Sequence, residues 1–222
     1  MSDENAETAW LINTFTVNSM LSMGKQRLSG RVSVEDIPSG HLYLTAIMEA
    51  MTDGVEIEID YQKYTADSAE TLTLHPYAVK EFAKRWYLIA YCVERKGLRV
   101  YGLDRVRRLN VTTKSFKMPK GFDVDELFAT SFGIYLPGAK AELIKYRVSE
   151  KEARFLRDPP MHRSQEEVEH KDGFVTFSIF ACPDKNMIME FCKFGSMIEV
   201  LSPAGVRESV ASELQNAARI YG

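Results

Sequence analysis

A chain of 222 residues, 45% hydrophobic and 27% charged, has room for one large or two small domains and the composition of an ordinary soluble globular protein. No apolar run approaches the roughly 20 residues of a membrane span. The opening MSDENAETAW is acidic and polar, unlike a secretory signal. Cys92, Cys182 and Cys192 stand far apart with no CxxC pair, which suggests neither a disulfide framework nor a zinc site, and the expected location is cytoplasmic. The net charge of −3 is unevenly spread: twelve basic residues between Lys80 and Lys120 face only Glu81, Glu94 and Asp104, a net +9 that leaves −12 elsewhere. That asymmetry points to an anionic partner for the central segment, or to a solvated basic face.

Residues 5–23, with Trp10, Leu11, Phe15, Val17 and Leu21, predict a helix, and the glycine- and serine-marked stretch 24–40 a connection. HLYLTAIMEAMTDG predicts a second helix, capped by Ser39, with Leu44, Ile47, Met48 and Met51 on one face and Gly54 at its end. Two helices and a loop fall short of a winged helix. From Val55 the period becomes two: VEIEIDYQ sets Val55, Ile57, Ile59 and Tyr61 against Glu56, Glu58 and Asp60. TLTLHPYAVKEF predicts a second strand with an edge or bend at Pro76. RWYLIAYCV and LRVYGLD predict a hairpin turning at ERKG through Gly97, and LNVTTKSF a fifth strand. Five successive strands predict a small antiparallel barrel of the SH3 or Sm-like kind.

GFDVDELFATSFGIYLPG reads as a helical connector, after which the order changes. AELIKYRVS is a strand, EKEARFLRD a helix, EEVEHKDGFVTFSIF a hairpin around Asp172–Gly173, PDKNMIMEFCKF a helix, SMIEVLS a strand, and PAGVRESVASELQNAARIYG a helix opened by Pro203. The order βαββαβ plus a helix predicts a ferredoxin-like sandwich. The fold class is therefore α+β. The expected division is a helical linker or dimerisation arm (1–53), a β-barrel domain (54–119), a connector (120–139) and a ferredoxin-like domain (140–222).

Catalytic constellations are scarce. His41, His75, His162 and His170 form no HExxH or HxH spacing, and no GxSxG, Walker-type loop or GxGxxG follows a strand, so neither an enzyme nor a metal or cofactor is expected. What remains is the aromatic and basic strand pair. Arg85, Tyr87, Ile89 and Tyr91 alternate with Trp86, Leu88, Ala90 and Cys92, and Arg99, Tyr101, Leu103 and Arg105 alternate with Val100, Gly102 and Asp104. Pairing is expected to bring Tyr87 and Tyr101 near Arg85, Arg99 and Arg105, with Trp86, Leu88 and Val100 filling the barrel. Aromatic rings stack bases and arginine offers a planar fork for phosphate. The alternative is that these rings only fill the barrel while arginines snorkel at its rim.

The region resembles the WYL domain through Trp86-Tyr87-Leu88 itself, IDYQ at 59–62, HPYAV at 75–79, RWYLIAY at 85–91 and YGLDRVRRL at 101–109. The part after it resembles the extension that commonly follows this domain, in PMHRSQEEVEHKDGFVTF, EFCKFGSMIEVLSP and VRESVASELQNAARIY. The resemblance, over about residues 40–222, implies the ligand-sensing module of a bacterial transcriptional regulator, usually dimeric, whose barrel binds a nucleic-acid or nucleotide-like effector. It implies ligand contacts at Tyr61, His75, Tyr77, Arg85, Trp86, Tyr87 and Arg105, with Arg105 as anion anchor. The chain departs from the family pattern in having no complete winged helix, so promoter DNA would be reached through a missing N-terminal domain. A stand-alone single-stranded nucleic-acid-binding module is the second reading, and an enzyme accessory domain the third.

Overall fold

The computed structural model describes residues 41–138 and 140–222. The helix expected over 5–23 and the Ser39 cap lie outside the described residues. Helix α1 (Leu44–Asp53) ends at Gly54, whose left-handed φ of 64° lets its N–H reach the Ala50 and Met51 carbonyls. Ile47 and Ala50 on α1 are fully buried in the same core as the strands that follow, whereas Met48 turns out to solvent. A segment expected to belong to an arm is thus one wall of this core.

Five antiparallel strands follow: β1 (Val55–Tyr61), β2 (Glu70–Phe82), β3 (Arg85–Cys92), β4 (Gly97–Gly102) and β5 (Val106–Ser115), in the order β4-β3-β2-β1-β5. Pro76 lies on a central strand and its missing N–H is accommodated by a break in the ladder between Pro76 and Ala78. The extra residue, Tyr77, reverses the side-chain parity. Leu72 and Leu74 face the α1 core before the break and Val79 after it, while Ala78 joins a second apolar cluster with Ile89 and Phe128. The sheet is therefore covered on both faces, which is why Tyr87, Leu88, Ile89 and Ala90 are all buried.

The register corrects two expectations. Leu88 pairs with Tyr101 and Ile89 with Val100, so Tyr101 enters the α1 core and Val100 packs on the opposite face beside Ile89. Tyr87 pairs with Gly102 and does not share a face with Tyr101. In the β3–β4 turn the left-handed residue is Lys96 (φ 47°), and Gly97 already begins β4.

After a short helix α2 (Val124–Leu127), capped by the Asp123 carboxylate, the second sheet forms: β6 (Glu142–Ser149), α3 (Glu150–Arg157), β7 (Glu166–Lys171), β8 (Phe174–Ala181), α4 (Lys185–Lys193), β9 (Ile198–Ser202) and α5 (Ala204–Tyr221). Only four residues of the connector are helical. The strand order β7-β8-β6-β9, antiparallel throughout, is the ferredoxin-like arrangement expected. Asp172 and Gly173 both take positive φ in the β7–β8 turn, as a two-residue hairpin requires. Tyr146 anchors the core, its ring 5.6 Å from Phe177 and 5.4 Å from Phe191, while its hydroxyl donates to Gln165 at 2.7 Å.

Residues 122–136 join the two sheets. Phe128 is buried against the outer face of the first sheet and Phe132 in the core of the second, each apolar burial contributing about 2–3 kcal/mol. The Cys182 N–H donates to the Thr130 carbonyl (2.7 Å) and the Arg163 guanidinium to the Asp125 carbonyl (3.0 Å). His162 stacks on Phe132 and shares a 2.7 Å hydrogen bond with the Ser164 hydroxyl. Its Nε2 is buried without a partner at hydrogen-bonding geometry, the Ser131 backbone lying beside it.

Burial pulls the His162 pKa below 6.5, aided by Arg163 and opposed by the Ser131 backbone. The unfolded chain then takes up a proton near pH 6.5 that the folded chain resists, so stability is lost as pH falls below that value, by at most about 1.4 kcal/mol per pH unit. Urea midpoints at pH 7.5 and 5.5 are expected to fall further apart in the wild type than in His162→Gln. Equal differences would contradict this assignment. His75 and His170, which face carboxylates, remain in both proteins and cancel.

Candidate functional site

One end of the first sheet gathers the last residue of β1 (Tyr61), the first residues of β3 (Arg85, Tyr87) and the 3-10 turn Leu103–Arg105 between β4 and β5. The loop after β1 is shaped by Gln62, whose N–H donates to the Arg105 carbonyl (3.0 Å) and whose side chain donates to the Ala66 and Asp67 carbonyls and accepts from Arg107 Nε (3.1 Å). This loop sets Tyr64 over Arg105.

The Arg105 guanidinium lies 5.4 Å from the Tyr61 ring centre and 5.3 Å from that of Tyr64. Two such cation–π contacts contribute about 0.5–2 kcal/mol each. Tyr61 is itself fixed edge-on against Tyr101 at 5.1 Å. Gly102 makes the arrangement possible: a side-chain carbon there would collide with the Arg105 guanidinium and the Asp104 carboxylate. Asp104, with only 8% of its side chain exposed, accepts from the Tyr64 hydroxyl, and its oxygens lie 3.8 Å from Arg85 Nη1 and 3.7 Å from Arg105 Nε. The latter pair, Asp104 Oδ1 and Arg105 Nε, are both buried and have no hydrogen-bond partner.

Two guanidinium groups against one carboxylate leave a net charge of +1 at the centre. Arg85 keeps 43% of its side chain exposed and Arg105 24%, and Tyr64 is 73% exposed, so an incoming group meets cations and an open aromatic face while the carboxylate stays beneath. The Tyr64 hydroxyl is shifted upward in pKa, first by its bond to Asp104, then by burial and the Asp104 charge, with Arg85 and Arg105 opposing. The Tyr61 and Tyr87 hydroxyls are raised chiefly by burial, opposed by Arg105 at Tyr61 and by Arg85 and Arg105 at Tyr87. All three tyrosines remain neutral donors at neutral pH.

Of the residues expected to bind a ligand, Tyr61, Arg85, Tyr87 and Arg105 meet here. Trp86 packs against the α1 core. His75 and Tyr77 belong to a separate aromatic cluster: His75 stacks on Phe116 at 4.9 Å and bonds Glu56 at 3.0 Å, and Tyr77 packs on Phe116 and Phe122. Tyr64 and Asp104 were not expected; a tyrosine in a polar loop carries no periodic signal, and Asp104 was legible only as the middle of LDR. The basic surplus is partly neutralised across strands, Arg108 by Asp60 and Arg95 by Glu70.

Residues 42–111 match the WYL domain and residues 140–218 the WCX domain. All six site residues fall within the WYL match. Among curated proteins, the chain is similar to the uncharacterized HTH-type transcriptional regulator YobV of Bacillus subtilis (strain 168), 28% identical over 168 residues, 71% of this chain and 50% of that protein. The chain thus spans half the length of this relative. Among solved structures it is similar to the proteasome accessory factor B/C (PafBC) of Arthrobacter aurescens, at 21% identity and a TM-score of 0.35 over 88% of this chain and 29% of that one. A CRISPR Cas-related protein shows 15% identity and a TM-score of 0.48 over 82% of this chain and 52% of that one.

Proposed function

We propose that the chain is the sensing module of a bacterial transcriptional regulator, and that its WYL domain binds an anionic effector of nucleic-acid or nucleotide type at Arg85 and Arg105. The observation that carries this reading is the Arg105 guanidinium held against two tyrosine rings, part exposed, beside Arg85 and over an incompletely bonded Asp104. The match to the WYL domain and similarity to an HTH-type regulator support the regulatory role. The module is read as non-enzymatic, on its similarity to an HTH-type regulator. Among the described residues no helix is long and apolar enough to cross a membrane. Effector occupancy would act by favouring one of two arrangements of the module, which requires different affinities for the two. Promoter DNA would be contacted by a DNA-reading domain outside residues 41–222.

Tyr64 favours a second reading, a single-stranded nucleic-acid-binding module, because its open ring can stack on any base. Fluorescence anisotropy with labelled single strands, competed by a panel of nucleotides at two salt concentrations, separates the two. A selective effector discriminates among nucleotides, whereas a general binder tolerates base changes and weakens steeply with salt. Arg105→Ala is expected to lose about 10- to 100-fold in affinity for whichever ligand binds, the range of one to two charge-assisted hydrogen bonds. Equal, weak binding of every ligand to wild type and variant would sink the site.

A further inference from the structure

Arg85, Arg105, Arg107 and Arg108 stand at or next to the Tyr61 end of β1, and their partners differ. Asp104 lies beside Arg85 and Arg105, and Asp60 accepts from Arg108 at 2.8 Å. Arg107 is exposed, and among the described residues no carboxylate pairs with it. It is nevertheless held in place. The β1–β5 register pairs Tyr61 with Val106 and Asp60 with Arg108, so Arg107 is the extra residue of a β-bulge. Its carbonyl accepts from the Tyr43 hydroxyl at 2.9 Å, and its Nε donates to Gln62 Oε1 at 3.1 Å. The Gln62 N–H in turn donates to the Arg105 carbonyl, so both arginines are fixed to the start of the loop that carries Tyr64.

A charge that only guards an edge strand needs no orientation. Arg107 has its backbone held by one neighbour and its guanidinium by a neutral amide, which directs the side chain without cancelling its charge. That leaves the Nη groups to offer a planar, two-point contact to a phosphate. Two residues of chain span at most about 7 Å, so Arg105 and Arg107 are spaced for neighbouring phosphates of one molecule. With Arg107 included, three guanidinium groups stand against one carboxylate, Asp104, a net charge of +2. Given an anionic effector at Arg85 and Arg105, on which this reading rests, we infer that Arg107 is a second anion-binding residue that selects ligands carrying two linked phosphates over ligands carrying one. The first phosphate pairs with Arg85 and Arg105, and the second with Arg107. The two phosphates are joined either directly, as in a diphosphate, or through one nucleoside, as in a dinucleotide. The chemistry at Arg107 is the same in both.

Titration calorimetry on the full chain with thymidine 5′-monophosphate, thymidine 5′-diphosphate and the 5′-phosphorylated thymidine dinucleotide tests it. The wild type is expected to gain about tenfold or more from the second phosphate in at least one of the two linkages, the size of a charge-assisted hydrogen bond at an exposed position. Arg107→Gln is expected to cut that gain to about twofold or less, while binding the monophosphate within about twofold of wild type. Arg107→Lys is expected to keep part of the gain, because the charge stays but the planar fork is lost. Arg108→Gln removes the same charge from the next position of β5 and is expected to preserve the gain. That control separates a contact at Arg107 from a general loss of positive charge. No gain in the wild type, equal losses for one- and two-phosphate probes in Arg107→Gln, or the same behaviour in Arg108→Gln would each overturn the role of Arg107 and leave the effector site standing. Failure of all three probes to bind any of these proteins would remove the nucleotide-type site itself, and the role of Arg107 with it.

Discussion

Asp104→Asn is expected to tighten anion binding while weakening the fold. The carboxylate sits among Tyr64, Arg85 and Arg105, largely shielded from water, and its charge opposes that of any anion approaching the two guanidinium groups. Removing one unit of negative charge several ångströms from the incoming group, discounted for the exposure of Arg85, changes the interaction by about 1–2 kcal/mol, or roughly five- to thirtyfold in affinity. The amide still accepts from the Tyr64 hydroxyl, so the loop carrying Tyr64 keeps its tether. Stability is expected to fall by about 1–3 kcal/mol, because Arg105 loses its nearest counter-charge while Arg85 is part hydrated. Anisotropy titration and urea unfolding of the same variant measure both effects. Weaker binding by the variant would mean that Asp104 serves mainly to hold the arginines in place, and the electrostatic reading of the site would fail.

Gly133→Val carries the largest expected cost in stability. Gly133 has φ +90°, a region closed to β-branched residues, and a side-chain carbon there would stand 2.8 Å from Phe82 Cζ. Backbone strain of about 1–3 kcal/mol and overpacking of a similar size give an expected loss of about 3 kcal/mol or more. The contact matters because Phe82 closes β2 at the hairpin whose turn, Ala83 and Lys84, leads directly into Arg85. That turn takes positive φ at both residues without glycine or asparagine, steadied by the Glu81 carboxylate accepting from the Lys84 N–H at 2.7 Å. Phe82→Ala removes the ring that Gly133→Val strikes, so the double variant is expected to be more stable than the two single losses predict. Strict additivity in chemical denaturation would show that the ring and the glycine do not meet.

Where the period of the side chains decided the outcome, the structure agrees with the sequence. Val55–Tyr61 forms its strand with Ile57, Ile59 and Tyr61 inward because alternation leaves one face apolar. The order of elements from Glu142 to Tyr221 matches because each strand and helix carries its own boundary, as in the Asp172–Gly173 turn, the Ser149 and Asp184 caps and Pro203. The candidate site was legible in part. Tyr61, Arg85, Tyr87 and Arg105 stand in or beside strands whose register brings their ends together, and the resemblance pointed to them. His75 and Tyr77 were expected with them because motif blocks do not say which end of a strand meets which neighbour.

By itself, the sequence determined the α+β class, the two sheets and the basic, tyrosine-bearing hairpin, since these follow from period, turn chemistry and charge. Tertiary structure alone decided which faces those residues share. One extra residue at Tyr77 reverses parity along β2, the β3–β4 register sends Tyr101 inward and Val100 outward, and a missing side chain at Gly102 lets Arg105 lie between strand and loop. Those are long-range contacts, set by how strands separated in sequence lie side by side, and a local pattern of residues carries no record of them.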